Sequence, residues 1–365
     1  MQAKLFITDE GYGPLVRQSA ILTELLGIMP ELQMTLQTER HLNEARRLIP
    51  GLKYSEVFNN ICWHKAEDGT PDANAIREYY QEYPRRSIDF IERELKNDTP
   101  DFILSDFVYE AFEIGAKSRI PTFGVAHFTW DWFFGKFYPP VIEQKLLLSW
   151  MGMAETAKAL FFPPCTPQEI MRQFAKNAVQ VPFIVRKHSH KKRTSSHKKR
   201  IMLIDSGSGV NSHSIRIMAE KLAFLKEYDF YLPKSPGVLA DNIHVFEEGT
   251  LLLDKIGDMD LVVGRAGFNT ISECIACRTP MLLFGEALNP EMQENIVFIK
   301  QMGLGSFTSI DNLRSNPEKV LSEFFEGEYD IVNRNMQTHD YPINGAEVVA
   351  ANIADMMGSK ITRPI

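Results

Sequence analysis

Short apolar runs alternate with helical stretches almost from end to end of this chain, and that alternation restricts it to layered α/β architecture. Val/Ile/Leu/Phe-rich runs predict strands over Lys4–Thr8, Gln33–Thr38, Phe102–Ser105, Thr122–His127 and Lys158–Phe162. A second set is predicted over Ile201–Asp205, Asp229–Leu232, His244–Phe246, Leu261–Val263 and Met281–Phe284. Most lack strict polar–apolar alternation, as expected for parallel strands covered on both faces. Helical spacing predicts helices over Leu15–Leu26, Ala73–Asn97, Val108–Ser118, Ser212–Lys226, Thr270–Ala276 and Asn289–Met302. Strands and helices in this order give doubly wound sheets with right-handed crossovers.

The 365 residues suit two such domains. The seam falls at residues 186–200, where eight of fifteen are Lys or Arg, three are His and none is acidic or apolar. Such a run cannot join a core and reads first as a solvated linker, with a patch for anionic lipid or another polyanion as the alternative. The expected organisation is a first domain over 1–185, the basic linker 186–200 and a second domain over 201–344. A last helix, within 345–365, is expected to return to the first domain. A net charge of −7 argues against a general nucleic-acid binder. The start reads as a first strand rather than a signal peptide, and no run approaches 18 apolar residues. Four cysteines make no disulfide framework, so a cytoplasmic setting is expected.

Open α/β sheets bind ligands at the carboxyl ends of their strands. After Asp205 comes Ser206-Gly207-Ser208-Gly209, a strand-to-helix turn that could cradle an anion or simply turn tightly. Leu261-Val262-Val263-Gly264-Arg265-Ala266-Gly267-Phe268-Asn269-Thr270-Ile271-Ser272-Glu273 carries more information. Arg265 at a strand end is poorly placed for a core. Glu273 either faces a ligand or closes a capping box with Thr270. Asn289, Glu291, Gln293 and Asn295 cluster at the next strand end, as a ligand site or as a capped, solvated loop. Cys274 and Cys277 are read as packing, because no second pair completes a zinc site.

The run from Arg265 to Glu273, then Pro280, Gln293 and Asn295, resembles the C-terminal domain of GT-B glycosyltransferases. It is most similar to the bacterial peptidoglycan N-acetylglucosaminyltransferase family and to the glycosyltransferase-like part of plant-type arabinokinases. The likeness to the latter extends to Asn289, Glu291 and Phe128-Thr129-Trp130-Asp131-Trp132. It implies two Rossmann-like domains facing across a cleft. It also implies transfer of a sugar from a nucleoside diphosphate, UDP first, to an acceptor hydroxyl, with inversion. By the same resemblance Glu273 would hold the ribose, and Gly267, Phe268 and Asn269, opposite Ser208 and Gly209, the diphosphate. Phe246 would lie on the base, Gln293, Asn289 and Glu291 on the sugar, and Arg265 beside the leaving group. No Asp-x-Asp stands at the carboxyl end of a predicted strand, so neither a metal nor a cofactor besides the sugar-nucleotide substrate is expected. The rival readings are a sugar-nucleotide hydrolase or epimerase, and a non-catalytic binding protein.

The relatives carry histidine in the glycine-rich loop after the first strand. Here Asp9-Glu10-Gly11-Tyr12-Gly13-Pro14 places Glu10 and Pro14 at those positions. Glu10 is the expected base, with Asp106 and His127, at or beside strand ends, as substitutes. Gly11, Tyr12, Gly13 and Asp131 are expected on the acceptor side. The acceptor is a glycan, a lipid-linked sugar or a small molecule. Eight aromatics between Phe128 and Trp150 read first as core. Their alternative is an acceptor pocket or a peripheral contact with the inner membrane surface.

Overall fold

The computed structural model describes residues 1–8, 10–38, 41–55, 61–65, 71–97, 99–187, 197–204, 212–247, 250–286 and 288–358, with the side chains of 212–216 excepted. Most of the basic run at 186–200 therefore lies outside the described residues. The chain divides into two compact units. One comprises Met1–Ala66, Pro71–Arg186 and Pro342–Ile365, and the other contains Lys187–Tyr341.

The first unit is built on a seven-stranded parallel sheet. Its strands are β1 (Gln2–Ile7), β2 (Gln33–Gln37), β3 (Lys53–Ser55), β4 (Phe102–Asp106), β5 (Thr122–Val125), β6 (Ala159–Phe162) and β7 (Ala178–Gln180). Their order is β3-β2-β1-β4-β5-β6-β7. Leu5 stands in register with Leu36 on one side and Leu104 on the other, and all three are fully buried. The helix Gly13–Ile28 covers this face together with Gly345–Met356, burying Ile21, Leu22 and Leu25 in one cluster with Val349, Ala350 and Ile353. Each buried Leu, Ile or Val contributes about 1.5–3 kcal/mol. Gly345 allows that closing contact: a Cβ there would stand 2.2 Å from the Pro182 carbonyl oxygen.

The opposite face is aromatic. Trp150 stacks on Tyr109 at 4.9 Å, and Tyr83 meets Trp150 edge-on at 5.4 Å. Trp130, Trp132, Phe133, Phe134 and Trp150 are buried in this cluster. Phe128 and Phe137 pack partly against it, and Tyr138 is 96% exposed. The helix expected over Ala73–Asn97 is two helices, Ala73–Gln81 and Tyr83–Glu94. Pro84 explains the break, because proline has no N–H and its ring excludes the carbonyl one turn back.

The second unit carries a six-stranded parallel sheet. Its strands are β8 (Lys199–Ile204), β9 (Tyr228–Leu232), β10 (Ile243–Val245), β11 (Leu261–Arg265), β12 (Met281–Phe284) and β13 (Gly305–Phe307), ordered β10-β9-β8-β11-β12-β13. Strand order reverses between β1 and β4 in one unit and between β8 and β11 in the other. Open sheets form their crevices at such points. Both units are doubly wound α/β layers. β3, β7 and β13 escape hydrophobic patterning because each is three residues long and contains polar or small residues. Among the described residues no helix is long and apolar enough to cross a membrane.

Candidate functional site

In the second unit, β11 ends at Arg265 and the chain turns into the helix Phe268–Cys277 with Gly267 as N-cap. Among the described residues no atom lies within 4 Å of where a Gly267 Cβ would stand. The helix begins two residues before the expected Thr270. Glu273 is thereby its sixth residue and cannot close a capping box with Thr270. It is half-buried. Phe268 is buried, which leaves its backbone, rather than its ring, at the turn.

The end of β12 is tied to this turn. Arg265 Nη2 lies 2.6 Å from Glu286 Oε1, and its Nε is buried with no partner among the described residues. Asn289 caps the helix Pro290–Met302, its Oδ1 accepting from the Met292 N–H at 3.1 Å. One turn on, buried Asn295 donates from Nδ2 to the Ala266 carbonyl at 2.9 Å and to Glu291 Oε1 at 3.3 Å. Its Oδ1 is buried and unpartnered among the described residues. Gln293 is exposed and donates to the Glu286 carbonyl at 3.3 Å. Two helix N-termini thus stand at adjacent strand ends, each with a positive dipole end. Phe246 follows β10, half-buried and stacked on Tyr231 at 5.8 Å. Ser208 and Gly209 lie outside the described residues. Cys274 and Cys277 sit inside the first of these helices. Cys274 is fully buried and Cys277 points at the Leu253 carbonyl, and burial pushes the Cys277 thiol up to about 12.

In the first unit, β1 leads into half-buried Glu10, whose Oε1 accepts from the Trp63 N–H at 2.9 Å. Gly11 has φ +74°, a conformation that favours glycine. Tyr12 is exposed and its ring lies on His41 at 4.6 Å, with Gly13 and Pro14 opening the helix behind it. Partial desolvation by its neighbours, then the Glu44 carboxylate, raises the Tyr12 phenol.

Asp106, at the end of β4, is buried and bound on both oxygens. Arg17 donates to it from Nε at 3.0 Å and from Nη2 at 2.7 Å, and Gln18 donates at 2.9 Å. Serving as a base would require it to give up a buried ion pair. Buried His127 lies two residues past β5, with Nδ1 3.2 Å from Arg17 Nη1. Asp131 is buried too. Its Oδ1 accepts from the Tyr109 hydroxyl at 2.5 Å and its Oδ2 from Gln173 at 3.0 Å. Burial raises its carboxyl, against these hydrogen bonds. The structure therefore gathers Asp106 and His127 around Arg17, while Glu10 is held separately by Trp63 and Asp131 by Tyr109.

Arg17, Gln18, Trp63 and Glu286 were not singled out from sequence. The available signal for Arg17 was its place among the apolar positions of the first helix, where a charge needs a partner.

No protein-family model matches the chain. It is similar to the UDP-N-acetylglucosamine–N-acetylmuramyl-(pentapeptide) pyrophosphoryl-undecaprenol N-acetylglucosamine transferase of Staphylococcus saprophyticus, at 26% identity over 82% of this chain and 83% of the relative. It is also similar to the L-arabinokinase of Arabidopsis thaliana, at 22% identity over 76% of this chain, and there the match spans 27% of the relative's length. Among solved structures, the calicheamicin glycosyltransferase CalG4 matches with a TM-score of 0.67 and 14% identity, over 99% of both chains. The spinosyn rhamnosyltransferase SpnG, complexed with thymidine diphosphate, matches at 0.63 and 12%, over 96% of this chain and 100% of that one. The fold is that of GT-B glycosyltransferases.

Proposed function

We propose that the chain transfers a sugar from a nucleoside diphosphate, UDP first, to an acceptor hydroxyl, with inversion and without a metal. One observation carries this reading. The helix N-termini after β11 and β12 are locked together by Arg265–Glu286 and Asn295–Ala266, with Glu273 half-buried on the first of these helices. N–H dipoles at the strand ends suit a leaving diphosphate, beside an Arg265 guanidinium that is itself paired with Glu286. Glu273 would accept from the ribose hydroxyls. Gln293, Asn289 and Glu291 would meet the sugar, and Phe246 the base. β10 is three strand spacings from β11, about 14 Å. An extended sugar nucleotide is long enough to reach across that distance. The thymidine diphosphate in the spinosyn enzyme and the UDP-sugar in the staphylococcal enzyme's name support the same donor class.

On the first unit, Glu10 would take the acceptor proton as the acceptor oxygen bonds to the anomeric carbon. The bond from that carbon to the phosphate oxygen breaks and its electron pair leaves with the diphosphate. Asp106 is held by Arg17 in a buried ion pair, so this reading gives the base role to Glu10, in the loop after β1. A cytoplasmic setting belongs to this reading, as does a glycan, lipid-linked or small-molecule acceptor.

The test is a thermal-shift scan of the whole chain against nucleoside diphosphates and their sugars. A ligand at 100 times its Kd adds about 2.7 kcal/mol to stability. A rise in Tm with UDP or a UDP-sugar, followed by sugar transfer to a screened acceptor, is the expected result. Release of free sugar without acceptor would make the chain a hydrolase. No shift with any nucleotide at high concentration would overturn the donor site.

A further inference from the structure

Arg17 is shared between two partners. Its Nε and Nη2 grip Asp106 at 3.0 and 2.7 Å, and Gln18 completes the hold on that carboxylate at 2.9 Å. The remaining Nη1 lies 3.2 Å from His127 Nδ1. A guanidinium has only donors, so Nδ1 must be the accepting nitrogen of that contact. A neutral imidazole carries one N–H, and here it falls to Nε2.

We propose that Arg17 is a positioning residue which, anchored by Asp106, fixes His127 as the Nε2–H tautomer and makes it a hydrogen-bond donor rather than a base. The chemistry of the site changes accordingly. The basic lone pair of His127 already faces a cation, so the ring is not the group that takes the acceptor's proton. Its use toward an acceptor rests on the transferase reading above, whereas the tautomer is measured with no ligand present.

The experiment is ¹H–¹⁵N NMR of the ¹⁵N-labelled full chain. The His127 ring signals are identified among nine histidines by their loss in His127→Gln. The expected spectrum shows the proton on Nε2 and a bare, accepting Nδ1. A proton on Nδ1 overturns the proposal. The double variant Arg17→Met, Asp106→Asn removes the ion pair as a unit, so that no lone buried charge is left. In it the two ring nitrogens are expected to move toward the shifts of an exchanging tautomer pair. An unchanged spectrum in the folded double variant would show that Arg17 does not hold the ring. Should that variant fail to fold, the wild-type spectrum decides. None of these outcomes depends on finding a donor or an acceptor, so failure here and failure of the transferase reading are separate results.

Discussion

Arg17 Nη2 lies 2.7 Å from Asp106 Oδ1, and both side chains are only 3% exposed. The pair joins the first helix to the end of β4 inside the first unit. Breaking such a pair from one side strands a buried charge, which costs about 3–5 kcal/mol. Asp106→Asn is expected to lower stability by that amount in denaturant melts. A loss under about 1 kcal/mol would mean that Arg17 finds another partner or water.

Glu10 Oε1 accepts from the Trp63 backbone N–H at 2.9 Å, which fixes the carboxylate in place. Glu10→Gln is expected to lower sugar transfer by about 10²–10⁴-fold while leaving donor affinity unchanged. The check is kcat beside calorimetric Kd for the donor. Retained turnover would take the base role away from Glu10.

Glu273 is the sixth residue of its helix, beyond reach of the N-cap. Its replacement therefore leaves the cap at Gly267 intact. Glu273→Ala is expected to weaken nucleoside-diphosphate binding by about 1–3 kcal/mol, through loss of hydrogen bonds to a charged acceptor. Titration calorimetry on the folded variant checks it, and an unchanged Kd would remove Glu273 from the ribose.

Asp131 is buried, and burial raises its carboxyl above the ordinary aspartate range. In the interval between those two values the folded chain keeps a proton that the unfolded chain has lost. Stability from this group is therefore full below the ordinary range and declines as pH rises through the interval. Asp131→Asn keeps a hydrogen-bonding group beside Tyr109 and Gln173 and removes the titration. The difference in stability between wild type and variant should change over that interval and be flat outside it. Melts from acid to neutral pH would show this, and a pH-independent difference would count against the raised value.

The expected donor turn was legible because it is local. β11, its glycine turn and the following helix occupy one contiguous stretch, so Arg265, Gly267 and Glu273 could be placed from sequence. The capping-box alternative failed for the same local reason: the helix starts at Phe268, two residues before Thr270. Ala73–Asn97 misled because its apolar spacing runs through Pro84 as though one helix continued.

By itself the sequence determined the layered α/β architecture, since apolar runs of strand length between helical repeats permit little else. Only the tertiary structure decided which polar groups meet. Arg17 and Asp106 are 89 residues apart, Arg17 and His127 are 110 apart, and Glu10 and Trp63 are 53 apart. Strand order brings Arg17, Asp106 and His127 together, because it sets the carboxyl ends of β1, β4 and β5 side by side at one end of the sheet. No local pattern encodes that neighbourhood, and it alone engages Asp106 and His127 with a guanidinium while Glu10 is held by a neutral N–H.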